Sequence, residues 1–304
     1  MSELPWLERG AAVTVGSFDG VHRGHLAVIE ELVRQARAAD RAAVVVTFEP
    51  HPVSVLRPDA GLERLTTGRE RLGAMAETPI DYLVVLRFDR NLASLDAETF
   101  VRRVLIERYG MRELVVGHDH GLGRNRSGDL DALRAIGTRL GFPVHPVEPV
   151  TSPVGGTVSS TAIRRAIAAG DFAAAAAGLG RPYRLTGVVE AGVQRGRTIG
   201  VPTANVAPPA GKLLPPDGVY AVRVEWGGGV AGGMMNQGLR PTIGDGRRWL
   251  EVNLFDFEGD LYGREIRIEW VAALRPIRRF ESLDALRDQL AVDRAQARSA
   301  LGQR

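Results

Sequence analysis

The 304-residue chain contains no cysteine. Disulfides, thiolate metal sites and a cysteine nucleophile are therefore excluded. Lysine is nearly absent: of 39 basic residues only Lys212 is lysine and the other 38 are arginine. Lys212 sits in AGKLLPP, outside any glycine-rich loop ending in Lys-Ser/Thr, so this is not a P-loop protein, and a Schiff-base lysine is not expected. Any phosphate must be held by arginine, histidine, backbone N–H groups or a metal. Aromatics are only 6% and the net charge is +3. With neither aromatic interleaving nor a concentrated basic stripe, no nucleic-acid partner is expected, and a non-enzymatic RNA-binding barrel is the weaker reading. No apolar run reaches the ~18 residues of a membrane-spanning helix. The start, MSELPWLERGAAV, shows no basic segment followed by an apolar one, so no secretory signal is read. A cytoplasmic protein with no membrane partner is the expectation.

The first half alternates between two periodicities. AAVTV (11–15), AVVVTF (43–48), YLVVL (82–86) and ELVVG (113–117) read as buried strands. Between them, 25–39 places Leu26, Ile29, Leu32, Val33 and Ala36 on one helical face, and 97–109 does the same with Phe100, Val101, Val104 and Leu105. Continuous apolar strands separated by helices predict a parallel, doubly wound α/β sheet, with ligands beyond the carboxyl ends of its strands. The stretch 162–178 is alanine-rich and predicted helical. From Tyr183 the pattern becomes period-two with Gly/Pro punctuation, in 184–193, 219–226, 249–257 and 264–271. A helix over 283–301, capped by Ser282, closes the chain with Leu283, Leu286, Leu290 and Ala297 as its apolar stripe. The prediction is an α/β domain over 1–180 and a small antiparallel β-barrel with a docked helix over 184–304.

The strongest chemical signal is VTVGSFDGVHRGHL at 13–26, where a strand enters a glycine-rich turn and His22-Arg23-Gly24-His25 opens a helix. A helix N-terminus is an anion site. Gly16, Gly20 and Gly24 allow close approach of backbone to a ligand. Two histidines three residues apart can donate to a triphosphate and to the charge that builds on its α-phosphate.

This segment resembles the nucleotidyltransferase superfamily with its HxGH motif. With TFEPHP (47–52), VVGHDHGLGRNRSGD (115–129) and VSSTAIR (158–164), it is similar to the adenylyltransferase half of bacterial bifunctional riboflavin kinase/FAD synthetases. The resemblance implies a Rossmann-like domain that transfers AMP from ATP to FMN. It assigns His22 and His25 to catalysis, and Gly16, Phe18, Asp19, Gly24, Ser159, Ser160, Thr161 and Arg164 to ATP. Taken alone, Ser-Ser-Thr before a helix is an N-cap; paired with HxGH it supplies hydroxyls and a guanidinium to phosphate. Asp119 is expected at the flavin. There the chain departs from the family, which has Phe, a polar residue and Phe after that acid; here His120, Gly121 and Leu122 follow it and His118 precedes it. If His118 and His120 alternate along a strand they share a face, and a two-histidine metal site is then conceivable. Altered flavin affinity is expected. The alternative is a riboflavin kinase whose adenylyltransferase half is impaired or changed in specificity.

RGRTIGVPTANV (195–206) resembles the riboflavin kinase signature, and DGVYAVRV, GGMMNQGLRPTIG and LEVNLFDFEGDLYG follow in the family's order. The resemblance implies Mg²⁺-ATP-dependent phosphorylation of riboflavin. Gly196, Gly200, Pro202 and Asn236 are then at ATP, and Thr203 and Asn205 offer neutral oxygens to the cation. Glu251 is a carboxylate within an apolar strand, on the face opposite Leu250, Val252 and Leu254, and is the expected base for the ribityl hydroxyl. The implied small molecules are riboflavin, FMN, FAD and ATP, with flavoproteins as eventual recipients of the product.

Overall fold

The computed structural model describes residues 5, 7–190, 203–239 and 248–303. Gly196, Gly200 and Pro202 lie outside the described residues. The chain divides into two compact units, Met1–Ser160 and Thr161–Arg304.

The first unit is a five-stranded parallel sheet in the order β3-β2-β1-β4-β5. Its strands are β1 (Ala11–Val15), β2 (Ala42–Glu49), β3 (Tyr82–Arg87), β4 (Met111–Gly117) and β5 (Val144–Val147). The central strands bury both faces, as their unbroken apolar runs require: every residue of β1 is buried. Helix α1 (Arg23–Ala38) covers one face through Val28, Ile29, Leu32 and Ala36. The other face packs against Phe100, Val101, Leu105, Leu133 and Ile136. The expected single helix over 97–109 is instead a short α-turn, Ala97–Phe100, that widens into π-helical geometry over Val101–Ile106. The chain runs outward from β1 to β3 and then returns to β4 on the other side of β1. The switch point, where such sheets bind ligands, therefore lies beyond the carboxyl ends of β1 and β4.

In the second unit a pair of helices, Ser160–Ala168 and Phe172–Leu179, precedes a closed barrel of strands β6 (Arg184–Glu190), β7 (Ala204–Val206), β8 (Gly218–Trp226), β9 (Gly229–Leu239), β10 (Arg248–Leu254) and β11 (Glu265–Pro276). The second helix of the pair packs on β11, and Phe172 meets Tyr220 edge-on at 5.8 Å. This packing groups residues 161–180 with the barrel, although a division by sequence character falls near 180.

The closing helix, Leu283–Ala300, starts at a Ser282 cap and docks through Leu290, Ala297 and Leu301 on Ala221, Met234 and Phe255. Its stripe begins later than expected, because Leu283 is 63% exposed. Instead Asp293 is fully buried and pairs with Arg275 at 2.7 Å. Lys212 is also buried; its Nζ donates to the Arg184 carbonyl at 2.6 Å and lies 4.6 Å from the Tyr183 ring centroid. Trp249 and Trp270 belong to the buried set, and Trp270 stacks on Tyr183.

Candidate functional sites

The loop leaving β1 is shaped by residues that dislike its conformation. Phe18 and Val21 have φ of 49° and 41°. For a β-branched residue that region is a genuine outlier, and such strain persists only where the surroundings over-determine it. Asp19, 2% exposed, supplies one clamp. Its carboxylate accepts from the N–H groups of Leu65 and Thr66 at 3.0 and 2.9 Å and from the Thr66 hydroxyl at 3.2 Å, while the Gly20 N–H donates to Thr66 Oγ1 at 2.9 Å. Asp19, which the resemblance assigns to ATP, is thus engaged with protein donors as a strut of the loop. Arg71 supplies a second clamp, donating to the Ser17 carbonyl at 2.9 Å, the Phe48 carbonyl at 2.9 Å and Glu49 at 2.8 Å. Thr47, in TFEPHP, also donates to the Ser17 carbonyl, at 3.3 Å. His51 of the same motif accepts from Val53 N–H and caps a short helix.

His22 is the N-cap of α1 and His25 its third residue, and the two form a reciprocal capping box. His22 Nδ1 accepts from the His25 N–H at 3.3 Å, and His25 Nδ1 accepts from the His22 N–H at 3.4 Å. The rings stack at 3.6 Å with planes 15° apart, and Phe18 lies 5.1 Å from His25. An imidazole that accepts at Nδ1 carries its hydrogen on Nε2 when neutral. Neutral rings accepting at Nδ1 are thereby held in one tautomer, each with an Nε2–H donor. The pair stands at the carboxyl end of β1, beside the switch point. Ser160 Oγ donates to the Asp19 carbonyl at 3.0 Å, and the Val158 carbonyl lies 3.6 Å from where a Cβ on Gly24 would stand. VSSTAIR therefore begins against the same loop. Thr161 and Arg164 follow on the helix that opens at Ser160, Arg164 half-buried; they belong to the second unit.

Beyond β4 the expected strand alternation fails. The strand ends at Gly117 and the His120 N–H returns to the Gly117 carbonyl at 3.2 Å, closing a turn. His118 and Asp119 are exposed on that turn, whereas His120 Nε2 is buried without a hydrogen-bond partner. The two histidines do not share a strand face, and no cluster of three or more metal-ligating side chains occurs among the described residues. Burial, outweighing the neighbouring Asp119, lowers the His120 pKa to about 4, so the ring is neutral. The Asp119 carbonyl accepts from Arg126 at 2.6 Å.

In the barrel, Glu251 is paired with Asn205 of β7 on one side and Asn236 of β9 on the other. Directly opposed residues on an antiparallel ladder have Cβ atoms about 5 Å apart and share a face. Thr203 immediately precedes β7. The opposite face carries Leu250, Val252, Val206 and Met235, all fully buried. The alternation read from LEV is thus present, with the acid turned away from the apolar interior. Asn205 is 4% exposed and its amide nitrogen donates to the Thr203 carbonyl at 3.5 Å, which orients its Oδ1 end away from that carbonyl. Glu190 of β6 lies opposite Asn205 and extends the polar row. Arg71, Thr66 and Glu190 were not singled out in the sequence; the motif LTTGRER around the first two reads as an ordinary helix start.

Two family models match the chain: FAD synthetase over residues 4–162 and riboflavin kinase over residues 179–301. The bifunctional riboflavin kinase/FMN adenylyltransferase of Escherichia coli strain K12 is 40% identical over 304 residues, covering 99% of this chain and 96% of that one. The protein of the same name from Pseudomonas fluorescens is 41% identical over 292 residues, covering 96% and 93%. A crystal structure from Streptococcus pneumoniae, titled a macrolide-efflux protein, superposes with a TM-score of 0.84 at 34% identity, covering 95% and 94%. Among the described residues of this chain no helix is long and apolar enough to cross a membrane. The chain belongs to the bifunctional riboflavin kinase/FMN adenylyltransferase family.

Proposed function

We infer that the chain makes FAD in two ATP-dependent steps: phosphorylation of riboflavin to FMN, then transfer of AMP to FMN with release of pyrophosphate. The matches to both family models favour this over a kinase with an impaired second activity. We assign the adenylyltransferase to about residues 1–180 and the kinase to 184–304. The observation that carries the assignment is the tautomer-locked histidine pair at the head of α1, in a chain with no lysine suited to the task. In the transfer step the FMN phosphate attacks the α-phosphorus in line as pyrophosphate departs. Positioning and charge stabilisation do most of the work. The Nε2–H groups of His22 and His25 donate to the phosphate oxygens, with Ser159, Ser160, Thr161 and Arg164 on the outer phosphates. Gly16, Phe18 and Gly24 line the nucleotide, and Asp119 stands at the flavin.

In the kinase step Glu251 takes the proton of the attacking ribityl hydroxyl. The donor types fit Mg²⁺, which favours hard oxygen ligands: the Asn205 amide oxygen, on the residue directly opposite Glu251, and the Thr203 hydroxyl just before that strand. Thr203 and Asn205 would hold the ion, which supplies charge neutralisation of the ATP phosphates. Asn236, with Gly196, Gly200 and Pro202, is assigned to ATP. Flavoproteins are the recipients of the product, the cell compartment is the cytoplasm, and neither nucleic acid nor membrane is a partner. Supplying riboflavin, ATP and magnesium and resolving the flavins tests the reading: FMN followed by FAD is expected, and failure to form either would overturn it.

A further inference from the structure

Arg71 is 3% exposed, a guanidinium placed where the sheet and helices otherwise bury apolar groups. Burial lowers its pKa despite Glu49 and Asp19 nearby, and its Nε finds no partner. A buried charge is costly unless paired. Its one carboxylate partner among the described residues, Glu49, has a side chain 40% exposed and is shared with Arg64. Packing alone gives no reason for a charge here. Its donors do. One Nη holds the Ser17 carbonyl and the other holds the Phe48 carbonyl and Glu49, so a rigid planar fork ties the loop after β1 to the carboxyl end of β2.

Because a trans peptide is planar, a Ser17 carbonyl turned toward the guanidinium turns the Phe18 N–H the opposite way. Phe18 is the residue with φ of 49°, and its ring rests against His25. The conformation that Arg71 fixes is therefore the one from which the histidine pair is presented.

We propose that Arg71 is a positioning residue for AMP transfer, holding the Ser17–Phe18 peptide, and through it His22 and His25, in the reactive arrangement. This rests on reading the histidine pair as the AMP-transfer site.

The test is Arg71→Lys, which keeps a charge but loses the fork, assayed in the full chain with FMN and ATP. With the first unit still folded, kcat for FAD formation is expected to fall about 10- to 100-fold, the scale of a small misplacement. KM for FMN should change little, and riboflavin phosphorylation in the same sample should be unchanged. Guanidinium ion added to folded Arg71→Ala should restore part of the rate. A kcat equal to the parent's, or a loss that follows only the unfolded fraction and that guanidinium does not relieve, would overturn the proposal. Should both Arg71 variants fail to fold, Thr47→Val decides, since it removes the other side-chain donor to the Ser17 carbonyl: a lower kcat at unchanged melting supports the role, and an unchanged kcat refutes it. If the parent itself forms no FAD from FMN, the site reading has failed, which is a separate outcome.

Discussion

Glu251 stands directly between Asn205 and Asn236, one residue on each neighbouring strand of the barrel. The register puts a carboxylate and two side-chain amides on one face, with the apolar interior on the other; on the proposed reading the carboxylate is the base and the Asn205 oxygen a cation ligand. Glu251→Gln keeps size and hydrogen bonding but cannot accept the proton. Riboflavin phosphorylation should fall by about 10²- to 10⁴-fold, the usual worth of a general base. FMN adenylylation by the same protein should be unchanged. Separate assays with riboflavin and with FMN measure both.

The histidine pair has two roles that one substitution can separate. His22→Asn retains a side-chain oxygen able to cap α1 but removes the Nε2–H donor. Melting of the first unit should stay near the parent's, while AMP transfer drops about 10²- to 10³-fold, the scale of losing one preorganised donor. Because the rings share one capping box, combining His22→Asn with His25→Asn should cost less than the product of the two single losses. Multiplicative rates would show independent action.

Asp19 is expected to act on stability before chemistry. Asp19→Ala leaves two backbone N–H groups and the Thr66 hydroxyl without their carboxylate. The loss should be about 3 kcal/mol, the sum of a buried charged acceptor's bonds less relaxation. Thermal scans should show the first unit melting roughly 5–10 °C earlier. An unchanged melting point would remove the strut.

His120 makes the first unit acid-sensitive. Its folded pKa, about 4, is below the ordinary imidazole value of 6.5. Between those values the unfolded chain binds the proton and the folded chain does not. Stability therefore rises with pH across that window and is lost as pH falls from about 6.5 toward 4, by at most about 1.4 kcal/mol per pH unit. His120→Phe should flatten that acid limb in denaturant titrations, and restoring the family's aromatic should tighten FMN binding measured by flavin fluorescence. An acid limb identical in both proteins would assign it to other groups.

Much of this was legible in the chain. The uninterrupted apolar runs revealed β1, β2 and β4 because strands buried on both faces have no polar alternation to obscure them; β3, at the sheet edge with Val85 41% exposed, was legible because its outward positions are apolar too. Leu250, Val252 and Glu251 announced their faces because the ladder is strictly period-two there. Other features were hidden for physical reasons. Strand β9, GVAGGMMNQGL, is dense in glycine and resembles a loop; one of those glycines, Gly233, sits where a Cβ would lie 2.6 Å from the Asn253 carbonyl oxygen. Strand β5 contains a proline, tolerated at a sheet edge. Asp293 reads as a solvated helix residue because its partner, Arg275, comes from strand β11, outside the helix. The same holds for Arg71: a helix arginine in sequence becomes a clamp only when β1 and β2 are brought beside it. The alternation inferred for His118 and His120 failed because β4 stops at Gly117.

The central claim is that one chain holds two separable catalytic centres acting in sequence. It is tested most directly by following flavins over time in parent, Glu251→Gln and the His22→Asn/His25→Asn double variant, each given riboflavin, ATP and magnesium. The parent should pass through FMN to FAD, the double variant should stop at FMN, and Glu251→Gln should leave riboflavin unconverted yet make FAD when given FMN. FAD formed at the parent's rate by the double variant would contradict the account.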